Sequence, residues 1–117
     1  MRFPLALSLD YVRDSLKSPN DSALEFKLKN LIDSGSGYIG VKVLLDGRDV
    51  TDRSTMKIGG QNATQVKPYM FVTSNYGDEV LVTIKLEGPK KRDLHKVNVI
   101  CNVEMLGTHS TEFEGRV

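Results

Sequence analysis

Residues 38–50, with the sequence YIGVKVLLDGRDV, limit what this chain can fold into more than any other stretch. Apolar side chains recur there at every second position, which is the period of a half-buried β-strand: Ile39, Val41, Val43 and Leu45. Asp46-Gly47 follows, a pair that readily supplies the two positive-φ residues of a type I′ turn. Arg48 then starts the return, so the middle of the chain is predicted to be a β-hairpin with one apolar face.

Several other segments show the same alternation on either side of this hairpin. The sequence predicts strands at residues 5–11, 24–29, 80–87 and 97–105, with shorter ones near Met56 and Ile58, at 69–73 and, as a final edge strand, at 113–117. Segments rich in Gly, Ser, Asn, Asp and Pro separate them. Loops or turns are therefore predicted at 14–22, 33–37, 59–62, 75–78 and 88–93.

These elements predict an all-β chain, because no stretch shows a helical period. A length of 117 residues is enough for one hydrophobic core. Residues 1–117 are therefore predicted to form a single antiparallel immunoglobulin-like β-sandwich of seven to nine strands. The chain has no tryptophan and one cysteine, which excludes an antibody-type domain with its buried tryptophan and disulfide.

Residues 24–51 combine an amphipathic strand that ends in Asn, a Gly/Ser turn, and an apolar strand that ends in Asp-Gly. This order resembles the first half of the cell-adhesion-related domains of bacterial and archaeal surface proteins. The matching positions are Phe26, Leu28, Asn30, Gly35, Gly37, Val41, Val43, Asp46 and Gly47. The resemblance implies an immunoglobulin-like spacer or contact domain without catalytic residues, and the soluble domains of archaellum stator proteins are broadly similar.

Charge and hydropathy argue against several classes of partner. Sixteen basic and fifteen acidic residues leave a net charge of +1, too little for a field that draws nucleic acid or an acidic membrane. No apolar run approaches the ~20 residues that a membrane-spanning helix needs. The single cysteine, Cys101, allows no disulfide within the chain, which fits a reducing compartment without requiring one.

Cys101 and His95 share one face of the predicted strand at 97–105 and its lead-in, which suggests a Cys–His nucleophile. Six positions along an extended strand separate them by about 20 Å, too far for a dyad. A buried structural thiol between Val99 and Val103 is the interpretation that the sequence favours. With His109 as the second histidine, no zinc spacing is present and no cofactor is predicted.

Aspartates near the central turn suggest a calcium site: Asp46, Asp49 and Asp52, with Asp10, Asp14 and Asp33 in segments that could reach the same end of a sandwich. Arg48 and Arg53 would lie among the ligands, and aspartate is also common in turns for its own hydrogen bonds. A calcium- or lipid-dependent membrane-binding β-sandwich is accordingly the alternative function.

One basic cluster occurs, at Lys90, Lys91 and Arg92. A nucleic-acid site would need aromatic neighbours on the same face, and Tyr69, Phe71 and Tyr76 are the aromatic residues considered for it. A solvated loop is the simpler interpretation.

Three apolar residues lie on faces that the alternation marks as outward: Leu44, Leu81 and Ile100. Together in one sheet they would form a patch suited to a protein partner or a second copy, whereas strands covered on both sides would bury them. The function predicted from the sequence is a non-catalytic interaction or structural module, a subunit of a larger assembly or surface structure. It would act through a sheet face or an edge strand.

Overall fold

The computed structural model describes residues 9–31, 34–87, 94–104 and 107–117, which contain eleven β-strands and one short 3₁₀ turn at Thr51–Arg53. The strands are β1 Leu9–Tyr11, β2 Lys17–Asn20, β3 Ala23–Asn30, β4 Gly35–Leu45, β5 Arg48–Asp49, β6 Ser54–Ile58, β7 Thr64–Gln65, β8 Met70–Ser74, β9 Glu79–Lys85, β10 Leu94–Val103 and β11 Gly107–Arg116.

The strands form two antiparallel sheets. The first sheet has the order β1-β3-β9-β6-β7, with β2 also paired to β3. The second has the order β11-β10-β4-β5, with β8 also paired to β4. The predicted all-β antiparallel sandwich is confirmed, although the described residues hold eleven strands rather than seven to nine.

Alternate residues of both sheets point into the space between them and form the core. Leu24, Phe26 and Ile84 of the first sheet are fully buried, as are Val43 and Val97 of the second. Burial of such side chains is the main favourable contribution to folding. The inward positions predicted for β3, β4, β9 and β10 are therefore confirmed.

The central hairpin has the predicted turn. Leu45 pairs with Arg48 across it, and Asp46 and Gly47 have φ angles of 51° and 84°, both positive as a type I′ turn requires. The turn is also tied to β10, because the backbone N–H of Asp46 donates to the carbonyl of Lys96 at 2.8 Å. The hairpin and β10 are thus held together at this end of the second sheet.

The sandwich is closed along one side by contacts between β1 and β11, which belong to different sheets. The Phe113 ring stacks on Tyr11 with centroids 3.7 Å apart, and meets Phe26 edge-on at 4.9 Å. The Thr111 hydroxyl donates to the Leu9 carbonyl. These contacts cover part of the long edge strand β11.

Along the opposite side, the segment after β7 crosses from one sheet to the other. The N–H of Val66 donates to the carbonyl of Ser54 in the first sheet, and the carbonyl of Lys67 accepts from Val41 in the second. The chain then enters β8, which pairs with the first half of β4 while β5 pairs with its end.

Two predicted loops contain strands. Residues 17–20 form β2, which pairs with β3 even though this segment holds Pro19 and Asn20. Gly35 and Gly37 belong to β4 and pair with β8, so the predicted turn at 33–37 is shorter than expected. The final strand starts at Gly107 rather than at 113. Residues 5–8, Asp33, the basic cluster and Met105 lie outside the described residues.

Candidate functional site

The outer face of the second sheet brings together two of the three residues predicted as interface candidates. Leu44 of β4 pairs with Asn98 of β10, and Ile100 pairs with Lys42. Leu44 and Ile100 are therefore diagonal neighbours on one face, and both are half-buried. Their predicted position on an outward face agrees with the structure.

Leu81 does not join them. It lies in β9 of the first sheet, between Lys27 of β3 and Lys57 of β6. The two outer faces of a sandwich point in opposite directions, so Leu81 is separated from Leu44 and Ile100 by the whole core. The three residues do not form one patch, and a role of Leu81 in binding stays a prediction.

Three solvent-exposed aromatic residues continue the outer face of the second sheet toward its other end. Tyr38, Tyr69 and Phe71, which we call the aromatic cluster, are 41%, 63% and 59% exposed. The rings of Tyr38 and Tyr69 stack with centroids 4.8 Å apart at an angle of 4°. Phe71 meets Tyr38 edge-on at 5.1 Å. Both arrangements are favourable for aromatic pairs, so the cluster is preassembled on the surface.

The strand pairing explains how the cluster arises. Tyr38 and Phe71 are direct partners across β4 and β8, and their side chains share the outward face. Tyr69 precedes β8, in the segment that crosses between the sheets. A Cβ atom on Gly40 would lie 2.4 Å from the carbonyl oxygen of Pro68, so the absence of a side chain there lets this segment approach β4.

Glu104 is an acidic neighbour of the cluster. Desolvation, the carboxylate of Glu104 and the Tyr38 hydroxyl together raise the pKa of Tyr69 above its ordinary value. The Tyr69 hydroxyl therefore remains protonated at neutral pH and can donate a hydrogen bond. The cluster offers large apolar area with a polar group at its rim, a combination common at protein interfaces.

A groove of about 930 Å³ lies beside the cluster, between the parts of β4 covered by β5 and by β8. Ile100 and the segment 65–68 line it. Charged side chains of both signs line it too: Lys42, Lys67, Asp49 and Asp52. Mixed charges give the groove no net field toward one kind of ion. The groove extends from the predicted residue Ile100 to Pro68, which directly precedes Tyr69 of the aromatic cluster.

In the part of the chain that the structure describes, β8 pairs with β4 alone and is an edge strand. The side-chain amide of Gln61 donates to the carbonyl of Thr73 at 2.6 Å. This bond covers one backbone group of the edge, and Phe71 lies two residues away on the same strand.

The turn aspartates bind their own neighbours. The Asp46 carboxylate accepts hydrogen bonds at 2.8 Å from the Lys96 N–H and from His95 Nδ1. Burial by itself would raise the pKa of Asp46, but these bonds and the nearby imidazole lower it below its ordinary value. Asp49 accepts from the hydroxyl and N–H of Thr51, and these two bonds lower its pKa.

No group of three or more His, Cys, Asp or Glu side chains is placed to hold a metal ion within residues 9–31, 34–87, 94–104 and 107–117. The convergence of aspartates that the calcium hypothesis needs is therefore not seen in that part of the chain. No helix among the described residues is both long and apolar enough to span a membrane.

Cys101 lies in the core, where burial raises the pKa of its thiol to about 11. It is therefore neutral at pH 7 and a poor nucleophile.

The Cys–His pair that the sequence suggests is not formed by His95, which is bonded to Asp46 at the start of β10. The residue opposite Cys101 is His109 of β11. The sequence pattern missed this pairing because it depends on the β10–β11 register. Nε2 of His109 is buried and has no hydrogen-bond partner among the described residues.

Two of the aromatic residues considered for a nucleic-acid site, Tyr69 and Phe71, both contact Tyr38 in the structure. Tyr38 is the member of the cluster that sequence reasoning missed. Tyr76 is 61% exposed in the turn before β9, where its N–H donates to the Ser34 hydroxyl. The outward parity of Tyr38, the same as that of Lys42 and Leu44, was the available signal.

No known family model matches this sequence, and no curated protein matches it either. Several solved structures are weakly similar to this chain. The CARDB domain of a Pyrococcus furiosus protein is 13% identical with a TM-score of 0.48, and the match covers all of this chain and 94% of that chain. The archaellum periplasmic stator complex FlaF and FlaG from Sulfolobus acidocaldarius is 13% identical with a TM-score of 0.42, covering 96% and 92%.

A family 123 glycoside hydrolase from Clostridium perfringens is 9% identical with a TM-score of 0.46, and the match covers 81% of this chain and 21% of that chain. The chain thus spans about a fifth of the length of that enzyme. Each of these TM-scores is below 0.5, and no role of this chain is inferred from these matches.

Proposed function

We propose that this domain is a non-catalytic protein-interaction module that acts through the outer face of its second sheet, as a subunit of an assembly or surface structure. The observation that carries the proposal is the aromatic cluster of Tyr38, Tyr69 and Phe71, three large side chains packed on one another and exposed to solvent. Tyrosine and phenylalanine are enriched at the buried centres of protein interfaces.

The packing within the cluster favours binding. Side chains that are ordered before association lose less conformational entropy when a partner covers them. Here the Tyr38–Tyr69 stack and the Tyr38–Phe71 contact already fix the three rings. Leu44 and Ile100 extend the apolar part of the same face beyond Pro68.

The occupant that we propose first is a second copy of this chain. A net charge of +1 means that two copies approach each other with little repulsion. The groove beside the cluster carries Lys42 and Lys67 as well as Asp49 and Asp52, so two identical faces can pair opposite charges. The edge strand β8 lies beside this face and could add backbone hydrogen bonds to the contact.

The alternative, a calcium- or lipid-dependent membrane-binding sandwich, has less support. Its proposed ligands Asp46 and Asp49 accept hydrogen bonds from His95, Lys96 and Thr51 within the fold. An enzymatic function would require an activated group, and the Cys101 thiol is buried and neutral.

Sedimentation over a concentration series from micromolar to millimolar protein tests the proposal. We expect a reversible monomer–dimer equilibrium, and we expect the double variant Tyr69→Ser, Phe71→Ser to weaken it by at least about tenfold, since aromatic anchors often contribute 2 kcal/mol or more. Circular dichroism should show that the variant keeps its β-structure.

Leu81→Ser is the matched control, because Leu81 is a half-buried apolar residue on the opposite outer face. It should leave the equilibrium unchanged, whereas Ile100→Lys should weaken it if the contact extends along the groove. A wild-type chain that stays monomeric at every concentration would contradict self-association. A dimer that responds to Leu81→Ser and not to the aromatic variant would place the interface on the first sheet.

A further inference from the structure

A cavity of about 270 Å³ lies between the two sheets, at the end where β3 and β10 finish. Leu28, Val80 and Val82 of the first sheet form one wall. Val41, Val99 and Cys101 of the second sheet form the other. Most of its walls are inward-facing side chains of the core, and Tyr38 of the aromatic cluster also lines it.

The chemistry of the cavity changes from its interior to its mouth. Its walls are mainly aliphatic, and the polar side chains of Asn30 and Ser74 line it as well. The Cys101 thiol is kept neutral by burial, which raises its pKa to about 11. Ser34, Ser36 and Glu104 also line the cavity and are exposed to solvent, so the cavity reaches the surface where they lie. Among the described residues that line it, Glu104 is the one that carries a charge.

The size of the cavity indicates what it can hold. Protein interiors are close-packed, and voids much larger than a water molecule are few. An apolar cavity of roughly 150 Å³ stays dry and takes up benzene. A cavity of about 270 Å³ can therefore take an aliphatic molecule of roughly ten non-hydrogen atoms.

We propose that this cavity is a binding site for a small aliphatic amphiphile whose polar group is neutral or cationic. The hydrocarbon part would contact Leu28, Val82 and Val99, and the polar group would lie at the end of the cavity that Asn30, Ser34 and Ser74 line. The Glu104 carboxylate disfavours an anionic head group there, since like charges repel at short range. The site thus selects an alcohol or an amine over a fatty acid.

Binding of 1-nonanol, nonylamine and octanoate, which are nearly equal in size, tests the proposal with the intact chain. Calorimetric titration below the aggregation concentration of each probe should show binding of 1-nonanol and nonylamine, with a rise of several degrees in melting temperature. Octanoate should bind at least about tenfold more weakly. If none of the three binds, or if octanoate binds as tightly as nonylamine, the proposal is wrong.

Val82→Phe should narrow the cavity and weaken binding by at least about tenfold while the chain stays folded. Binding as tight as that of the wild-type chain in this folded variant would place the ligand elsewhere and overturn the proposal. Val99→Leu and Val97→Leu form a second test, since both residues are buried on the same face of β10 but Val99 alone lines the cavity. Val99→Leu should weaken binding without lowering the melting temperature. Val97→Leu should lower the melting temperature and leave binding unchanged. Equal destabilisation by both would contradict an open cavity.

Discussion

Single residues decide where this backbone turns, and the central turn shows how. Asp46 and Gly47 both have positive φ, a region that costs most residues conformational energy and that glycine enters freely. The Asp46 carboxylate offsets part of its own cost, because it accepts hydrogen bonds from Lys96 and His95 of β10. Gly47 has no side chain and nothing near its Cβ position, so only its backbone angle restricts what can replace it.

Gly47→Val is therefore expected to destabilise the fold by about 1–2 kcal/mol, because a β-branched residue is strained at positive φ. Gly60→Val is the control, since Gly60 also has open space around its Cβ position but does not have a left-handed φ. Urea unfolding of both variants gives the comparison. Equal stability of the two would mean that the turn tolerates an ordinary φ at position 47.

Pairs of elements set the position of the aromatic cluster. The segment after β7 lies against β4 at Gly40, where the Pro68 carbonyl occupies the space of a missing side chain. Tyr69 follows directly and stacks on Tyr38. A local contact between a loop and a strand therefore places one of the three exposed rings.

Gly40→Ala is expected to lower the free energy of unfolding by about 1–3 kcal/mol, because the added methyl group would collide with the carbonyl oxygen of Pro68, a backbone atom that cannot rotate away. Gly37 lies on the same strand and has nothing within 4 Å of its Cβ position, so Gly37→Ala should have little effect on stability. Melting curves measure the stability difference. If Gly40→Ala also displaces Tyr69, it should weaken self-association, whereas an unchanged melting temperature would contradict the close approach.

The elements themselves were largely predictable from the sequence, because the core strands carry a strict period of two. β3, β4, β9 and β10 bury the residues that their alternation marks as inward, except that Ile39 of β4 and Val103 of β10 are half-buried. β2 was missed because Lys17, Ser18, Pro19 and Asn20 have the composition of a loop, and its pairing with β3 overrides that preference. The aromatic cluster was not predicted, since Tyr38 and Tyr69 are distant in sequence and meet only through the β4–β8 pairing.

At the scale of the whole molecule, the aromatic residues divide into two groups with different roles. Tyr11, Phe26 and Phe113 pack on one another where the two sheets close against each other. Tyr38, Tyr69 and Phe71 pack on one another facing solvent. The first group joins the sheets, and the second exposes large rings to solvent, which is the arrangement expected of the binding surface that we propose.

The same substitution in each group separates these roles. Phe113→Ala should lower the free energy of unfolding by about 3–5 kcal/mol, because it removes a ring that is 9% exposed and contacts both Tyr11 and Phe26. Phe71→Ala should cost less than about 1 kcal/mol, since that ring is 59% exposed and loses mainly its contact with Tyr38. Urea unfolding followed by circular dichroism and by tyrosine fluorescence gives both values. A loss for Phe71→Ala as large as that for Phe113→Ala would mean that the aromatic cluster holds the fold together, and the case for a binding surface would lose its main support.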